Sequence, residues 1–509
     1  MSDDTLSGSE LHAAAVRGLR WSVVARPLIE LVLLASMVAL ARLITPADFG
    51  RFAVALAVTE LAILIPSEGV GTALVQRKSV TRAHLQSGMA LALLASVVVA
   101  ALTLVLATVL ITPLFGVRTA DFVRLSTPGF LLAGLSAVPM ALLRRRLAFR
   151  QLTFVDLGST LTRAGVSLAL AVAGLEGESL ILGGLAAGVV VVAMAWAWAP
   201  APFPRLLRSA ARDILSYGLP ASLASVSWVG FRNCDYAIVG ARLGVLQAGY
   251  YFRAYNLAVE YQKKISLVMG QVGFPLLARA GSATEMLALQ AKMVRLITTL
   301  LFPLLALLAI LAPVAVPWIF GPAWEPAVVP TQILALGGAS TLVIDAAGAA
   351  LMASGRARAL LGYGVAHFAC YALIVLVVTP FGIVGVALGA SIVHTIFLVI
   401  AYDLMLRGST ERALPRLWQD LHPALGACLA LVAVAVPVNA LATGAGAPAA
   451  LQLAVVSIIG TSAYLVALRL CFAQSWRALI SVFRQVLPER ARWPIPRRPA
   501  PALGTGGSS

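Results

Sequence analysis

The sequence predicts an all-α polytopic membrane protein of about 14 transmembrane helices, built as two six-helix lobes that are related by a parallel internal repeat, plus two C-terminal helices. Three observations predict it: an apolar composition, an alternation of basic and charge-poor loops, and a repeated junction between spans. Of the 509 residues, 60% are hydrophobic and 12% are charged, and the mean hydropathy is +0.93. A soluble domain of this length does not need so much apolar surface.

Runs of roughly 20 apolar residues are long enough to cross the hydrocarbon core. The predicted spans lie near 19–44, 51–76, 86–113, 122–143, 152–174, 179–199, 214–240, 249–277, 293–320, 327–353, 359–380, 383–406, 421–443 and 449–472. The predicted domains are a cytoplasmic N-terminal segment at 1–18, an N-lobe at 19–200, a C-lobe at 201–408, two extra spans at 409–472, and a basic, Pro/Gly-rich cytoplasmic tail at 473–509.

The positive charge is confined to one side of the predicted bundle. Of the 38 Lys and Arg residues, 27 lie before span one, after an even-numbered span or in the tail, and the opposite side has five. The positive-inside rule therefore predicts an inner-membrane protein with cytoplasmic termini. The same placement disfavours nucleic acid as a partner of a chain with net charge +17 and favours contact with anionic lipid headgroups.

Three short segments recur at offsets of about 200 to 210 residues. Ala41–Phe52, with its Ala-Arg-Leu start, matches the segment from Ala241 to Tyr251. Pro113–Gly116 matches Pro317–Gly321, and the basic turn from Leu142 to Arg150 matches that from Met352 to Ala359. Six spans separate the copies, so both halves are predicted to have the same orientation.

Charged residues inside the predicted spans are the candidate functional residues, because charges in the bilayer usually face a bundle interior or a water-filled cavity. The cations are Arg26, Arg163, Arg232, Arg253, Lys263 and Lys264, and the acids are Glu30, Glu60, Glu68, Asp156, Asp235, Glu260 and Asp345. Helical spacing groups several of them: Asp156 and Arg163 are seven residues apart and share a face. Asn256 joins Arg253 and Glu260 in a stripe on span eight.

Two interpretations of these charges remain open. They either neutralise one another as packing pairs, or they line a hydrophilic cavity with cations for an anionic substrate and acids for ion coupling; for the group as a whole we favour the cavity. His367 and His394 fit either hydrogen-bonded packing or a proton relay. The four cysteines form no CxxC pair and are predicted to be packing residues, with no metal site. No nucleophile, P-loop or metal-ligand motif predicts an enzyme.

Several strings resemble those of a known family. Leu43–Gly50 resembles the "LLTPEDFG" junction of Wzx-type polysaccharide flippases of the colanic-acid-exporter kind. Pro139 with Leu142–Arg150 resembles that family's "P..LLRRRL.FR" turn, and Gly355-Arg356 its "GR" turn. A further block is shared: Asn233, Asp235, Ile238, Gly240, Leu243, Gly244, Gly249 and Tyr250 resemble "N.D..I.G..LG....GY". The resemblance covers about residues 15 to 410.

The resemblance implies a member of the multidrug/oligosaccharidyl-lipid/polysaccharide exporter superfamily. It implies translocation of undecaprenyl-diphosphate-linked oligosaccharide by alternating access, with an H+ or Na+ gradient as energy source and no cofactor. Arg26, Arg163, Arg232, Arg253, Lys263, Lys264 and Asn256 would then bind diphosphate or glycan. Glu30, Glu60, Asp156, Asp235, Glu260 and Asp345 would be the ion-coupling candidates. A polysaccharide polymerase and a chain-length regulator are candidate partners of an expected monomer.

Alternatives stay open at this point. A cation-coupled multidrug exporter or a lipid-II-type flippase of the same superfamily would have much the same spans. A polytopic glycosyltransferase or polymerase is disfavoured because all predicted outward loops are short. A scaffold or assembly partner is a residual alternative.

Overall fold

The structure is a computed structural model, and it describes residues 27–77, 79–260 and 276–486; within these ranges, 220–221, 223–232, 357 and 482–486 are described by their backbone alone. The helices are α1 (27–43), α2 (Pro46–Gln76), α3 (Arg82–Leu106), α4 (Thr112–Phe115), α5 (Val117–Ser126), α6 (Pro128–Arg145), α7 (Phe149–Val172), α8 (Glu178–Trp198), α9 (Arg208–Leu243), α10 (Val245–Tyr255), α11 (Ala283–Phe320), α12 (Val328–Ala353), α13 (Ala357–Val378), α14 (Gly382–Leu406), α15 (Ala413–Gly444), α16 (Ala449–Cys471) and α17 (Ala473–Val486). Two π-helical turns interrupt this pattern, at Ala107–Ile111 and at Asn256–Glu260, and two 3₁₀ turns lie at Pro322–Ala327 and Thr379–Phe381.

The predicted all-α membrane fold is confirmed. Over the described ranges, nine helical stretches are long and apolar enough to cross a membrane. The count of about 14 stays a prediction, because spans one and eight extend into residues outside those ranges and the helices of spans five and seven, α7 and α9, are not among the nine.

Local sequence fixes where several helices begin. Thr45 caps α2: its side-chain oxygen accepts the Asp48 backbone N–H at 3.3 Å, and Pro46 occupies the first turn, where a missing N–H costs nothing. Thr81 and His84 form a reciprocal capping box at α3. Ser282 caps α11 as Thr45 caps α2, because its side-chain oxygen accepts the Glu285 backbone N–H at 3.1 Å.

The internal repeat is visible in backbone conformation. Gly116 and Gly321, which close the matched Pro113 and Pro317 segments, have φ/ψ of 85°/162° and 106°/161°. At the basic turns, Leu147 and Gly355 both have positive φ, at 52° and 73°. The N–H groups of the two turns also donate to equivalent carbonyl oxygens. In the first turn Leu147 donates to Arg144 and Ala148 to Leu143; in the second, Gly355 donates to Met352 and Arg356 to Leu351. Both turns are therefore Schellman-type helix ends, and at Leu147 a non-glycine residue adopts the left-handed conformation.

Helices α2 and α9, from the first and the second lobe, run antiparallel along a common seam. At one end of the seam Gly50 lies against the α10 backbone, and at the other Gly69 lies against Gly218. We call the end that carries Ala41–Phe52 the junction end, and the opposite end, with the arginine-rich turns, the basic end. At the basic end, Arg77 forms an ion pair with Asp213 at 3.0 Å.

The extra helices α15 and α16 pack mainly on α11. The Tyr464 hydroxyl of α16 donates to the Thr299 carbonyl oxygen at 2.8 Å. Asp420 of α15, fully buried, lies 3.4 Å from both Arg295 of α11 and Arg416 of its own helix. The pair is therefore attached to the second lobe through one of its long helices.

Candidate functional site

The polar face of α7 is the first part of the candidate site. Asp156 and Arg163 are both exposed on one side of this helix, and Leu161, Leu168 and Val172 are exposed on the other. Seven residues span nearly two turns, so the two charges share a face, whereas the leucines lie more than 100° away. The apolar face suits lipid, and the charged face needs water or protein. The structure thus places Asp156 and Arg163 together on the face of α7 that lies opposite its apolar face.

Arg163 has a carboxylate opposite it on α2. It interacts electrostatically with Glu60, which is half-buried. Glu60 Oε2 also accepts a hydrogen bond of 2.8 Å from the side-chain amide of Asn233, which is buried on α9. Glu60 thereby connects a cavity cation in the first lobe to the first helix of the second lobe.

Asp235 lies two residues after Asn233 on α9 and faces the opposite way, into the second lobe. Its side chain is fully buried and accepts hydrogen bonds from the hydroxyls of Tyr251, at 3.1 Å, and Tyr371, at 2.8 Å. The Tyr236 backbone N–H donates to its other oxygen at 2.9 Å. These three donors stabilise the ionised carboxylate.

A histidine pair adjoins this carboxylate. The His394 ring of α14 packs edge-on to Tyr371, with ring centroids 5.3 Å apart, and lies 5.2 Å from His367 of α13. His367 in turn stacks on Phe397 at 4.5 Å. Both histidines are buried. A small cavity beside them is lined by Tyr255, Thr341, Ser391 and His394 among others.

The junction end is closed by the repeated segments themselves. Gly50 of α2 and Gly249 of α10 stand in van der Waals contact with each other's backbone: a Cβ on Gly50 would overlap the Val245 carbonyl oxygen, and one on Gly249 that of Pro46. The Trp324 indole N–H donates to the Ala41 carbonyl oxygen at 2.8 Å. Arg42 donates through Nε to the Ile319 carbonyl oxygen at 2.9 Å. These contacts join the first lobe to the second across the whole junction.

Arg253 lies inside this closure, buried among aromatic rings. Its guanidinium carbon is 4.3 Å from the ring centre of Phe49, 4.8 Å from that of Trp324 and 5.0 Å from that of Phe320. Only 2% of Arg253 is exposed. We call these four residues the aromatic box. In this conformation the box stabilises the closed junction end by cation–π contacts between lobes.

The remaining candidates are scattered. Glu30 on α1, Asn256 and Glu260 on the π turn are half-buried, and Asp345 on α12 is exposed. The Asn256 amide donates to the Phe252 carbonyl oxygen at 2.8 Å. Arg26, Lys263 and Lys264 lie outside the described residues, and Arg232 is described by its helical backbone alone. The division of these residues between substrate binding and ion coupling stays a prediction.

Over residues 39–329, more than half of the chain, the sequence matches the model of one family, described as "Polysaccharide biosynthesis protein". The chain belongs to the polysaccharide biosynthesis protein family. The predicted membership of the Wzx-type flippases within the exporter superfamily is thereby confirmed.

Named relatives of this protein agree with that assignment. The lipopolysaccharide biosynthesis protein WzxC of Escherichia coli (strain K12) is 26% identical over 410 residues, which cover 79% of this chain and 83% of that protein. The teichuronic acid biosynthesis protein TuaB of Bacillus subtilis (strain 168) is 24% identical over 367 residues, 69% of this chain and 75% of that one.

Solved structures show the same fold. The inward closed conformation of the lipid II flippase MurJ superposes with a TM-score of 0.67 at 12% identity, covering 92% of this chain and 99% of that one. An inward-facing multidrug resistance transporter of the MATE family superposes with a TM-score of 0.58 at 14% identity, covering 75% and 94%. These superpositions agree with the apolar helices of a multi-pass membrane protein. The family match and the named relatives confirm the predicted function in lipid-linked oligosaccharide translocation for polysaccharide biosynthesis.

Sequence reasoning missed most partners of the charged residues. Phe49, Phe320 and Trp324 were not singled out as neighbours of Arg253, nor Tyr251 and Tyr371 as donors to Asp235. Asn233 stood in a recognised motif, yet nothing in that motif indicated its contact with Glu60, 173 residues away. The junction repeat carried the one usable signal, because both Phe49 and Arg253 lie within or next to its two copies.

Proposed function

We propose that this protein moves an oligosaccharide carried on undecaprenyl diphosphate from the cytoplasmic to the periplasmic leaflet of the inner membrane, by alternating access coupled to an ion gradient. Family membership supports a role in polysaccharide synthesis. The lipopolysaccharide and teichuronic acid proteins among its relatives make glycans that differ, so the glycan itself is left open. The closed junction end supports a conformation whose cavity opens toward the basic end.

The observation that carries the proposal is the exposed Arg163 on the polar face of α7. It lies about 20 Å along the helix from its first residue, near the middle of predicted span five. A guanidinium offers a planar fork of donors that matches two phosphate oxygens. The negative charge of Glu60 on α2 favours the charged form of this guanidinium.

The test is flipping by purified protein in liposomes that contain a fluorescent polyprenyl-diphosphate disaccharide. Arg163→Gln removes the cation but keeps a polar side chain of similar length. We expect it to lower the flipping rate by about 10- to 100-fold, the loss associated with one charged hydrogen-bonded contact. Arg163→Lys should recover only part of that rate, because a lysine does not reproduce the bidentate fork.

Arg146→Gln is the matched control, since Arg146 is also an exposed arginine but lies in the basic turn after α6. It should flip the probe at the parent rate. If Arg163→Gln, at normal abundance in the membrane, also flips at the parent rate, the cationic-cavity proposal is wrong. Failure of the parent protein to flip any diphosphate-linked probe would contradict the flippase function as a whole.

A cation-coupled multidrug exporter and a lipid-II-type flippase are the alternatives. An exposed cavity arginine disfavours a cationic drug, because like charges repel in a low-dielectric cavity. A lipid-II-type substrate shares the diphosphate, so it is separated by comparing the disaccharide probe with lipid II in the same liposomes.

The orientation and the assembly are part of the proposal. The basic loops support cytoplasmic termini in the inner membrane. Reporter fusions placed after the basic turn at Arg146 and at the junction near Leu43 would report opposite sides. A monomer is expected, with a polysaccharide polymerase and a chain-length regulator as transient partners; cross-linking in cells that make the polymer would detect them.

A further inference from the structure

We propose that His394 is the site at which the coupling proton binds in the second lobe, with Asp235 as its fixed counter-charge and Tyr371 as the residue between them. The proposal rests on the proposed ion-coupled flippase function and names the ion, which is a proton, and its place. In this proposal Asp235 stays negatively charged, and the change of charge occurs one tyrosine ring away, on His394 of α14.

The hydrogen bonds of Asp235 are the first step. Tyr251 and Tyr371 donate to one of its oxygens and the Tyr236 N–H donates to the other. A metal cation needs oxygen lone pairs directed at it, and here three donors take up most of the carboxylate's lone pairs. The same three donors favour the ionised form over the protonated one. Asp235 is therefore suited to remain an anion throughout the cycle.

The tautomer of His394 is the second step. Its Nδ1 lies within hydrogen-bond distance of the Ala390 carbonyl oxygen, one helical turn earlier. A carbonyl oxygen only accepts, so Nδ1 carries the hydrogen of the neutral ring and Nε2 carries the basic lone pair. Proton uptake forms one N–H bond at Nε2 and gives an imidazolium; release to the other side of the membrane restores the neutral ring. No other bond changes.

The surroundings of His394 are the third step. Tyr371 and His367 of α13 face it, Tyr255 of α10 lines the same cavity, and Asp235 of α9 stands behind Tyr371. Helix α12 contributes Thr341 and the glycines at 337 and 338 to that cavity. On α13, Tyr363 interacts with both His367 and Asp345 of α12.

From these contacts follows the stoichiometry. Two imidazolium rings with centroids 5.2 Å apart would repel strongly in a buried setting. The pair His367 and His394 is therefore expected to hold one proton at a time, with Asp235 one tyrosine ring away from it. The small cavity beside Ser391 and Thr341 offers hydroxyl groups through which a proton can arrive.

Helix α9 connects this site to the seam between the lobes. Asp235 points into the second lobe, and Asn233, about 200° around the helix, donates to Glu60 of the first lobe. A positive charge at His394 attracts Asp235 and so biases the rotation and position of α9. Proton binding is thereby linked to the contact that holds the lobes together along α2.

The experiment uses the full-length protein in liposomes with the fluorescent polyprenyl-diphosphate disaccharide and an internal pH-sensitive dye. His394→Asn retains a donor at the position of Nδ1 but has no basic nitrogen. We expect the parent protein to flip the probe faster under an imposed difference of about one pH unit and to move protons as it does so. His394→Asn should lose about tenfold of that pH-driven rate and the proton movement that accompanies it, while its melting temperature in detergent equals that of the parent.

His422→Asn is the matched control. His422 of α15 also directs Nδ1 at the carbonyl oxygen four residues earlier, that of Trp418, at 3.1 Å, and also packs against aromatic rings. It lies outside the Asp235 network and should retain pH-driven flipping. An unchanged melting temperature in detergent shows that each variant is folded.

The outcomes separate this inference from the function on which it rests. Stimulation of the parent by a sodium gradient and not by a pH difference overturns the proton assignment and leaves the flippase intact. Full pH-driven flipping by His394→Asn overturns the placement at His394. Absence of probe exchange in the parent protein contradicts the proposed function itself.

Discussion

Gly50 and Gly249, matched positions of the two junction copies, pack directly against each other's helix at the closed end of the bundle. Each presents a bare Cα to the other's backbone, so the first turn of α2 and the first turn of α10 approach more closely than any side chain would permit. The repeat that marks the duplication of the chain is thus also the contact surface between its two halves. Opening of the junction end requires that these two turns separate.

A methyl group at either glycine should open the junction end. In Gly50→Ala the new Cβ would overlap the Val245 carbonyl oxygen, and backbone cannot move aside as a side chain can. Overpacking of this kind costs about 1–3 kcal/mol, enough to shift a two-state equilibrium by about 5- to 150-fold. We expect a longer distance between spin labels placed at the exposed Leu43 and Leu246 in a background without the native cysteines.

Gly71→Ala serves as the control for that substitution. Gly71 is a buried glycine on the same helix, and a Cβ there would meet nothing within 4 Å. Its label distances should equal those of the parent. Equal distances in Gly50→Ala as well would show that the glycine contact does not govern opening.

The aromatic box makes a second prediction. Arg253→Met retains the volume of the side chain but loses three cation–π contacts, to Phe49, Phe320 and Trp324. Desolvated contacts of this type contribute about 2 kcal/mol, so the closed conformation should lose stability and the melting temperature in detergent should fall. Arg253→Lys should restore the charge but only part of the stability, because the planar stacking is absent.

Arg242→Met is the control for the box, since Arg242 is exposed at the same end. The predicted substrate-binding role of Arg253 is distinguishable in the same experiment. If Arg253→Met weakens binding of the diphosphate probe but changes neither the melting temperature nor the Leu43–Leu246 distance, the arginine acts on the substrate and the box is not a gate contact.

The basic end carries a pH-dependent contact outside the predicted spans. A hydrogen bond with His84, together with the charge of Arg77, lowers the pKa of Asp213 below its ordinary value of 3.8. A lowered folded-state pKa stabilises the protein above the unfolded-state pKa, and this contribution is lost as the pH falls through the folded-state pKa. Asp213→Asn should therefore melt earlier than the parent at pH near 7, with the difference decreasing as the pH falls below 3.8 and shrinking in high salt. A difference that persists unchanged at low pH would show that charge is not its cause.

Sequence patterns predicted what is local or periodic, and they failed where the partner is distant. The apolar runs and the basic turns predicted the helices and their ends, since these depend on near neighbours. The repeat predicted that Gly50 and Gly249 lie at one face, but no periodicity indicates that the two copies touch. The contact between Arg253 and Trp324 arises only from tertiary packing. Arg253, which its place in the polar stripe on span eight predicted to line the cavity, therefore lies among aromatic rings. Asp156 and Arg163 were grouped correctly because both lie on one helix.

The hydrogen bond between Glu60 and Asn233 can be tested by exchanging the carboxylate and the amide between the two positions. Asn233→Asp places a second carboxylate opposite Glu60, so the 2.8 Å hydrogen bond becomes a repulsion and flipping should fall by about tenfold or more. Glu60→Gln keeps an acceptor for Asn233 but leaves Arg163 without its opposing charge.

The double variant restores a donor and an acceptor across the seam and keeps one negative charge near Arg163. It should flip the probe faster than Asn233→Asp alone, with a coupling energy of about 1.5–3 kcal/mol in a double-mutant cycle. Additive effects of the two substitutions would mean that the lobes do not communicate through this bond, and the link between Asp235 and the first lobe would then have to run along another contact of α9.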